Sequence, residues 1–149
     1  MAFRFPLQAL WRVRAIYERR EAQRLAVLAN QLASAQRELA ALKQEQLKEA
    51  DCLAKNLERG MRSGELQFQV ACSSRLESRI DVVSKLIENM RQRRQQQLML
   101  YRHARQKLEV VARLYDRQLS AYRRETERRE QQQATELFLI RSLTVGDGQ

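Results

Sequence analysis

Two long stretches of this chain, from Leu7 to Arg59 and from Glu65 to Val145, contain neither glycine nor proline. The sequence holds four glycines and one proline in all, and they stand at Pro6, Gly60, Gly64, Gly146 and Gly148. Ala, Leu, Arg, Gln, Glu and Lys fill most of the uninterrupted stretches, and these residues lose little entropy on becoming helical. No run of β-branched and aromatic residues bounded by turn residues offers a strand. The expected fold class is therefore all-α. Aromatic residues make up only 6% of the chain and many of its apolar residues are alanines. Such a composition suits a narrow seam between two helices better than a wide core.

The second half carries the clearer seam. Ser73, Ile80, Ile87, Arg94, Tyr101, Leu108, Tyr115 and Tyr122 recur every seventh residue, and Leu76, Val83, Met90, Gln97, Ala104, Val111, Gln118 and Glu125 form the companion row. Steps of four and three between the rows are the heptad pattern of a coiled coil, here with a polar break at Arg94 and Gln97. The three tyrosines are expected to pack in the seam with their hydroxyls reaching solvent. The first half repeats the pattern with Leu25, Leu32, Leu39, Gln46 and Leu53 beside Leu28, Ala35, Leu42 and Glu49. Upstream, Glu18 to Arg24 is almost wholly polar, and Leu7, Leu10, Trp11, Val13, Ile16 and Tyr17 are spaced as one helical face.

Between the seams lies a short link. Gly60 is placed to end the first helix in a left-handed conformation, Ser63 to cap the second, and Glu65 to favour its first turn. So short a link forces the helices antiparallel. The chain thus reads as a single domain over 1–149, a long two-helix antiparallel coiled-coil hairpin with helices near 6–59 and 64–143 and a turn at 60–63. At 1.5 Å per residue the helices would be about 80 Å and 120 Å long. Acid-first pairs at i, i+4 support them: Asp51/Lys55, Glu58/Arg62, Asp81/Lys85, Glu109/Arg113 and Glu125/Arg129.

Charge is unevenly distributed around the formal total of +10. Residues 1–37 carry seven arginines against two glutamates, and 91–130 carry twelve basic against five acidic residues. The intervening 38–90 segment, with eight basic and nine acidic residues, is close to neutral. Folding about residue 62 would bring the two basic segments to the end where the termini meet and leave the turn end neutral. Two unlike ends suggest two different partners, with an acidic surface for the basic end.

Several kinds of chemistry lack their residues. His103 is the only histidine and has no second ligand at metal-binding spacing, so no metal site is expected. No glycine-rich phosphate loop exists, and a two-helix rod offers no pocket for a catalytic triad. Neither an enzyme nor a bound cofactor is expected. Arg4, Arg12 and Arg14 interrupt the N-terminal apolar residues, which argues against a secretory leader, and no apolar run reaches the roughly 20 residues of a membrane helix. Cys52 and Cys72 should lie at the same level of the hairpin, but helix axes about 8–10 Å apart are wide for a disulfide, and a reducing cytosol is the expected compartment.

The opening Phe3-Arg4-Phe5-Pro6-Leu7-Gln8-Ala9-Leu10, running through Arg12 and Arg14 into a helix rich in Glu, Ala, Gln and Arg, resembles the start of FliJ-type proteins. The later Arg105-Gln106-Lys107-Leu108-Glu109, Arg113-Leu114-Tyr115-Asp116-Arg117, Tyr122 and Glu125 to Gln133 do so too. The acidic stretch near the C-terminus of that family is thin here, with Glu136 followed by Leu137-Phe138-Leu139-Ile140.

The resemblance implies a non-enzymatic component of the flagellar type III export apparatus, a cytoplasmic coiled coil associated peripherally with the inner face of the cell membrane. It would link the hexameric export ATPase to the transmembrane export gate, and some members also handle export chaperones. On this footing Arg12, Arg14, Arg19, Arg20, Arg24, Arg123, Arg124, Arg128 and Arg129 are candidates for ATPase binding. Leu137, Phe138, Leu139, Ile140 and Leu143 form a candidate tip for the ATPase pore, and Leu47, Leu66 and Phe68 a candidate gate contact. The alternatives are the related injectisome stalk, a generic scaffold, and a nucleic-acid-binding coiled coil. Nucleic acid is disfavoured by Glu18, Glu21, Glu109, Asp116, Glu125, Glu127 and Glu130 interleaved with the arginines, and by the lack of a stacking platform.

Overall fold

The computed structural model describes residues 2–146; Met1 and 147–149, which the single-domain reading included, lie outside the described residues. Two helices account for almost all of them: α1, Gln8–Arg59, and α2, Ser63–Gly146. They pack against one another as an all-α hairpin, and no strand occurs among the described residues.

Local chemistry sets each helix end. Pro6 sits second in a turn closed by the Gln8 N–H donating to the Phe5 carbonyl at 3.2 Å, and Trp11 N–H then donates to Leu7 O at 2.9 Å. The first helix therefore starts two residues later than expected, because the turn uses proline's fixed φ before the helical ladder begins. Gly60 ends α1 with φ +92°, and an added Cβ would meet nothing within 4 Å. The requirement for glycine there is thus one of backbone conformation, with a cost of roughly 1–2 kcal/mol for another L-residue. At the start of α2 the Leu66 N–H donates to Arg62 O at 3.1 Å. Arg62, rather than Ser63, consequently occupies the capping position, and Ser63 is already helical. The helix continues three residues beyond the expected 143.

The chain divides into two compact units, one of residue Arg19 through His103, the other of the residues up to Glu18 together with those from Ala104 onward. In the Arg19–His103 unit the core is a single stripe: Leu32, Ala35 and Leu42 of α1 against Leu76, Val83 and Ile87 of α2, flanked by Leu39, Ile80 and Met90. These are the heptad positions of both seams. Two helices cover a side chain from one direction only, so no described side chain is completely enclosed. Truncating Leu32 or Ile87 to Ala would still cost about 2–5 kcal/mol.

In the other unit the N-terminal segment lies on α2 through aromatic contacts. Phe5 stands edge-on to Trp11 and Tyr115 with ring centroids 6.1 and 5.2 Å away, Trp11 is 4.7 Å from Tyr115, and Phe3 touches Tyr115 and Tyr122 at 5.6 and 5.4 Å. Val111 and Phe5 are the buried residues here. From Glu127 to Gly146 every residue of α2 is exposed.

Three local expectations are revised. Arg94 and Gln118, both on the α2 heptad rows, are exposed, while Leu98 and Leu119 are half-buried. The rows stay inward beyond Arg94, at Tyr101, Ala104, Leu108, Val111, Tyr115, Tyr122 and Glu125, so Leu98 and Leu119 widen the seam beside them without changing its register. In α1 the face Leu7, Leu10, Trp11, Val13, Ile16, Tyr17 splits: Leu7 and Trp11 turn inward, and the other four are exposed. Extending the seam backwards from Leu25 and Leu28 leads to Glu21, Glu18, Arg14 and Trp11, all half-buried.

The third concerns ion pairs. Asp51–Lys55, Asp81–Lys85 and Glu125–Arg129 form at 3.1, 2.9 and 3.1 Å. Glu109, however, pairs with Arg105 at 3.3 Å. Among the described residues no ion pair joins Glu58 to Arg62, since α1 ends at Arg59 and the helical spacing between them is lost.

Candidate functional site

The candidate functional side chains are those that a two-helix fold leaves uncovered. The C-terminal part of α2 is one such surface. Leu137, Phe138, Leu139, Ile140 and Leu143 are all exposed, Phe138 at 71%, and Val145 joins them at 78%. Consecutive apolar residues at 100° per residue spread around a helix instead of lining one stripe, so no single neighbour could cover them. The hydroxyls nearby are spent within the helix: Thr135 donates to Gln131 O, Ser142 to Leu139 O and Thr144 to Arg141 O. The N-terminal aromatics, the natural cover within this unit, are occupied by Tyr115 and Tyr122. The ten residues from Glu127 to Glu136 that lead to this segment are polar apart from Ala134 and are exposed.

Near the turn, Leu47 is 72% and Phe68 70% exposed, and Leu66 is at the margin of exposure. Phe68 borders a groove of about 280 Å³ whose walls are Glu49, Ala50, Cys52 and Leu53 of α1 and Gln69, Cys72 and Ser73 of α2; Leu47 and Leu66 lie outside this lining. Both cysteines are free thiols, and they face the same groove from opposite helices, the shared level expected from their sequence positions. Asn56 Nδ2 donates to Cys52 Sγ at 3.7 Å. Gln69 Oε1 is buried with no hydrogen-bond donor among the described residues.

The nine candidate arginines divide between the units. Arg19, Arg20 and Arg24 belong to Arg19–His103, and all are exposed. Arg20 and Arg24 line a groove of about 520 Å³ with Gln23, Val27, Leu28 and Gln31, closed by Gln97 of α2. Arg24 also pairs with Glu21 at 3.3 Å. Gln97 is the buried polar residue of the seam and explains its break. Its Nε2 donates to the Glu21 carbonyl at 3.2 Å and to the Glu21 carboxylate.

In the other unit Arg12, Arg123 and Arg124 are exposed, and no ion pair engages them among the described residues. Arg128 and Arg129 share Glu125 at 3.4 and 3.1 Å. Arg14 is half-buried on the seam.

Leu10, Val13, Ile16 and Tyr17, which the sequence spaces on one helical face with Leu7 and Trp11, form an exposed apolar stripe, with Ile16 at 64% exposure. The signal was available, since the heptad run back from Leu25 assigns the inward positions to Trp11, Arg14, Glu18 and Glu21. Among the described residues no group of His, Cys, Asp and Glu could hold a metal ion, and no helix is long and apolar enough to cross a membrane.

The family model described as "Flagellar FliJ protein" matches residues 3–143. No curated protein and no solved structure matches the chain.

Proposed function

Because the chain belongs to the FliJ family, whose members are non-catalytic components of flagellar protein export, we propose that it is a coupling stalk, linking the hexameric export ATPase to the transmembrane export gate. The observation that carries this reading is the uncovered C-terminal segment of α2. Leu137, Phe138, Leu139, Ile140, Leu143 and Val145 present apolar surface around a helical segment that is exposed throughout from Glu127 to Gly146. Exposed apolar clusters of this size mark sites of association, and a ring pore lined by apolar loops encircles a helix in the way this surface demands. The exposed arginines give the approach to an acidic ring its electrostatic attraction. Leu47 of α1 and Phe68 of α2, both near the turn, supply a separate apolar surface for the gate. The protein then works in the cytoplasm, held at the inner face of the membrane through its partners, and export chaperones are further candidates for its exposed surfaces.

Deletion of residues 134–149 tests the assignment. The hairpin's melting temperature is expected to stay within about 2 °C, since residues 134–146 are exposed throughout, while stimulation of the ATPase is lost. A variant that melts early yet still stimulates would make the segment a structural cap and refute the pore assignment.

A further inference from the structure

We propose that the groove lined by Arg20, Gln23, Arg24, Val27, Leu28 and Gln31 of α1 and Gln97 of α2 is a docking site for an acidic amphipathic helix of a partner protein. Its shape comes first. The α1 residues follow one another at steps of three and four, the row along which a helix accepts another helix. They span about 16 Å, roughly three turns. Gln97, from the second helix, closes one side, so a third helix laid in this groove of about 520 Å³ touches both.

The chemistry of the lining selects the occupant. Val27 is exposed and Leu28 half-buried, an apolar floor in contact with solvent. Arg20 and Arg24 provide two positive charges, no carboxylate lines the groove, and the remaining lining residues are glutamine amides. Leucine-like side chains on Val27 and Leu28, with carboxylates one turn away on Arg20 and Arg24, satisfy floor and rim together. The Arg24–Glu21 pair is no obstacle. It is an i, i+3 pair at 3.3 Å in which only the Arg24 end is well exposed, at 49% against 15% for Glu21, and Glu21 keeps Gln97 as a donor when Arg24 turns to another carboxylate. A second copy of this chain is the wrong occupant, because the same face would bring Arg20 and Arg24 against themselves within a molecule of charge +10.

The inference deepens the assignment of Arg20 and Arg24 to a partner contact and rests on that assignment, but its test does not need the ATPase. The probe is a fluorescent helical peptide of about 18 residues, five turns, with Glu and Leu on one face; the full-length protein is titrated into it. Arg20→Glu/Arg24→Glu should weaken binding by about tenfold or more. Val27→Ser should weaken it roughly threefold to tenfold. Arg113→Glu/Arg117→Glu, with the same change in net charge at two exposed positions, should leave it within about twofold. All substituted positions are exposed, and Arg20→Gln/Arg24→Gln serves if charge reversal lowers helicity.

Equal loss in the Arg113/Arg117 variant would reduce the effect to net charge and overturn the proposal, as would insensitivity to Val27→Ser. Tight binding of a duplex DNA that depends on Arg20 and Arg24 but not on Val27 would overturn it too, making the groove a phosphate contact. If the peptide binds as expected yet a saturating amount leaves ATPase association unchanged, the groove stands and its assignment to the ATPase falls.

Discussion

Gln97 occupies a heptad position that elsewhere in the seam holds Val83, Met90 or Val111, and its surroundings explain how an amide persists there. Its Nε2 serves the carbonyl and the carboxylate of Glu21, a residue whose side chain is only 15% accessible and whose other partner is Arg24. A single polar pair in an otherwise apolar seam disfavours shifted alignments, because any slip leaves a buried amide and a nearly buried carboxylate unmatched. Gln97→Leu should therefore destabilise the protein by about 1–3 kcal/mol despite adding apolar surface, since Glu21 loses a donor it cannot replace from solvent. Glu21→Leu/Gln97→Leu should recover that loss or exceed the parent, as apolar replacements of buried polar pairs often do. Thermal melts of the two variants decide the matter. A double variant no more stable than the single one would show that the pair is not what the seam depends on.

At the level of elements, helix class, hairpin connectivity and the inward rows of α1 from Leu25 to Leu53 were legible because period, glycine placement and composition all point one way. Details failed where two local rules compete. Ser63 has capping chemistry, but the ladder reaches back to Arg62. Leu10, Val13, Ile16 and Tyr17 look like a core face, yet the seam extended from Leu25 outweighs them and places Glu18 and Glu21 inside. Apolar spacing alone could not reveal this, because the inward carboxylate of Glu21 is made tolerable by Gln97, a residue 76 positions away. The grooves beside Phe68 and Arg20 were likewise invisible, since each needs side chains from both helices. The turn-proximal surface gives a prediction at this scale. Leu47→Ser/Phe68→Ser changes two side chains that are mostly in solvent, so the melting temperature should fall by less than about 3 °C. Binding to the export gate should weaken at least about tenfold with ATPase binding preserved. Parallel loss of both would trace the effect to misfolding of the turn region.

For the whole molecule the governing quantity is its charge of +10, carried by arginines distributed over both units. Charge of this size speeds encounter with an acidic partner and does less to hold the complex once formed. Arg123 and Arg124 isolate that contribution well. They are exposed, whereas Arg128 and Arg129 are tied to Glu125 and would leave it facing a like charge if reversed. Arg123→Glu/Arg124→Glu removes two charges at each position and takes the chain from +10 to +6. Association with the ATPase ring should slow by about fivefold to tenfold at low ionic strength and converge on the parent rate as salt shortens the screening length to a few ångströms. Dissociation should change less than about twofold, because the apolar surface from Leu137 to Val145 that is proposed to enter the pore is untouched. Stopped-flow measurements across a salt series separate the two rates. If association is unchanged, these arginines only keep the chain in solution. If dissociation accelerates instead, they lie within the bound interface, and the C-terminal segment does not hold the complex alone.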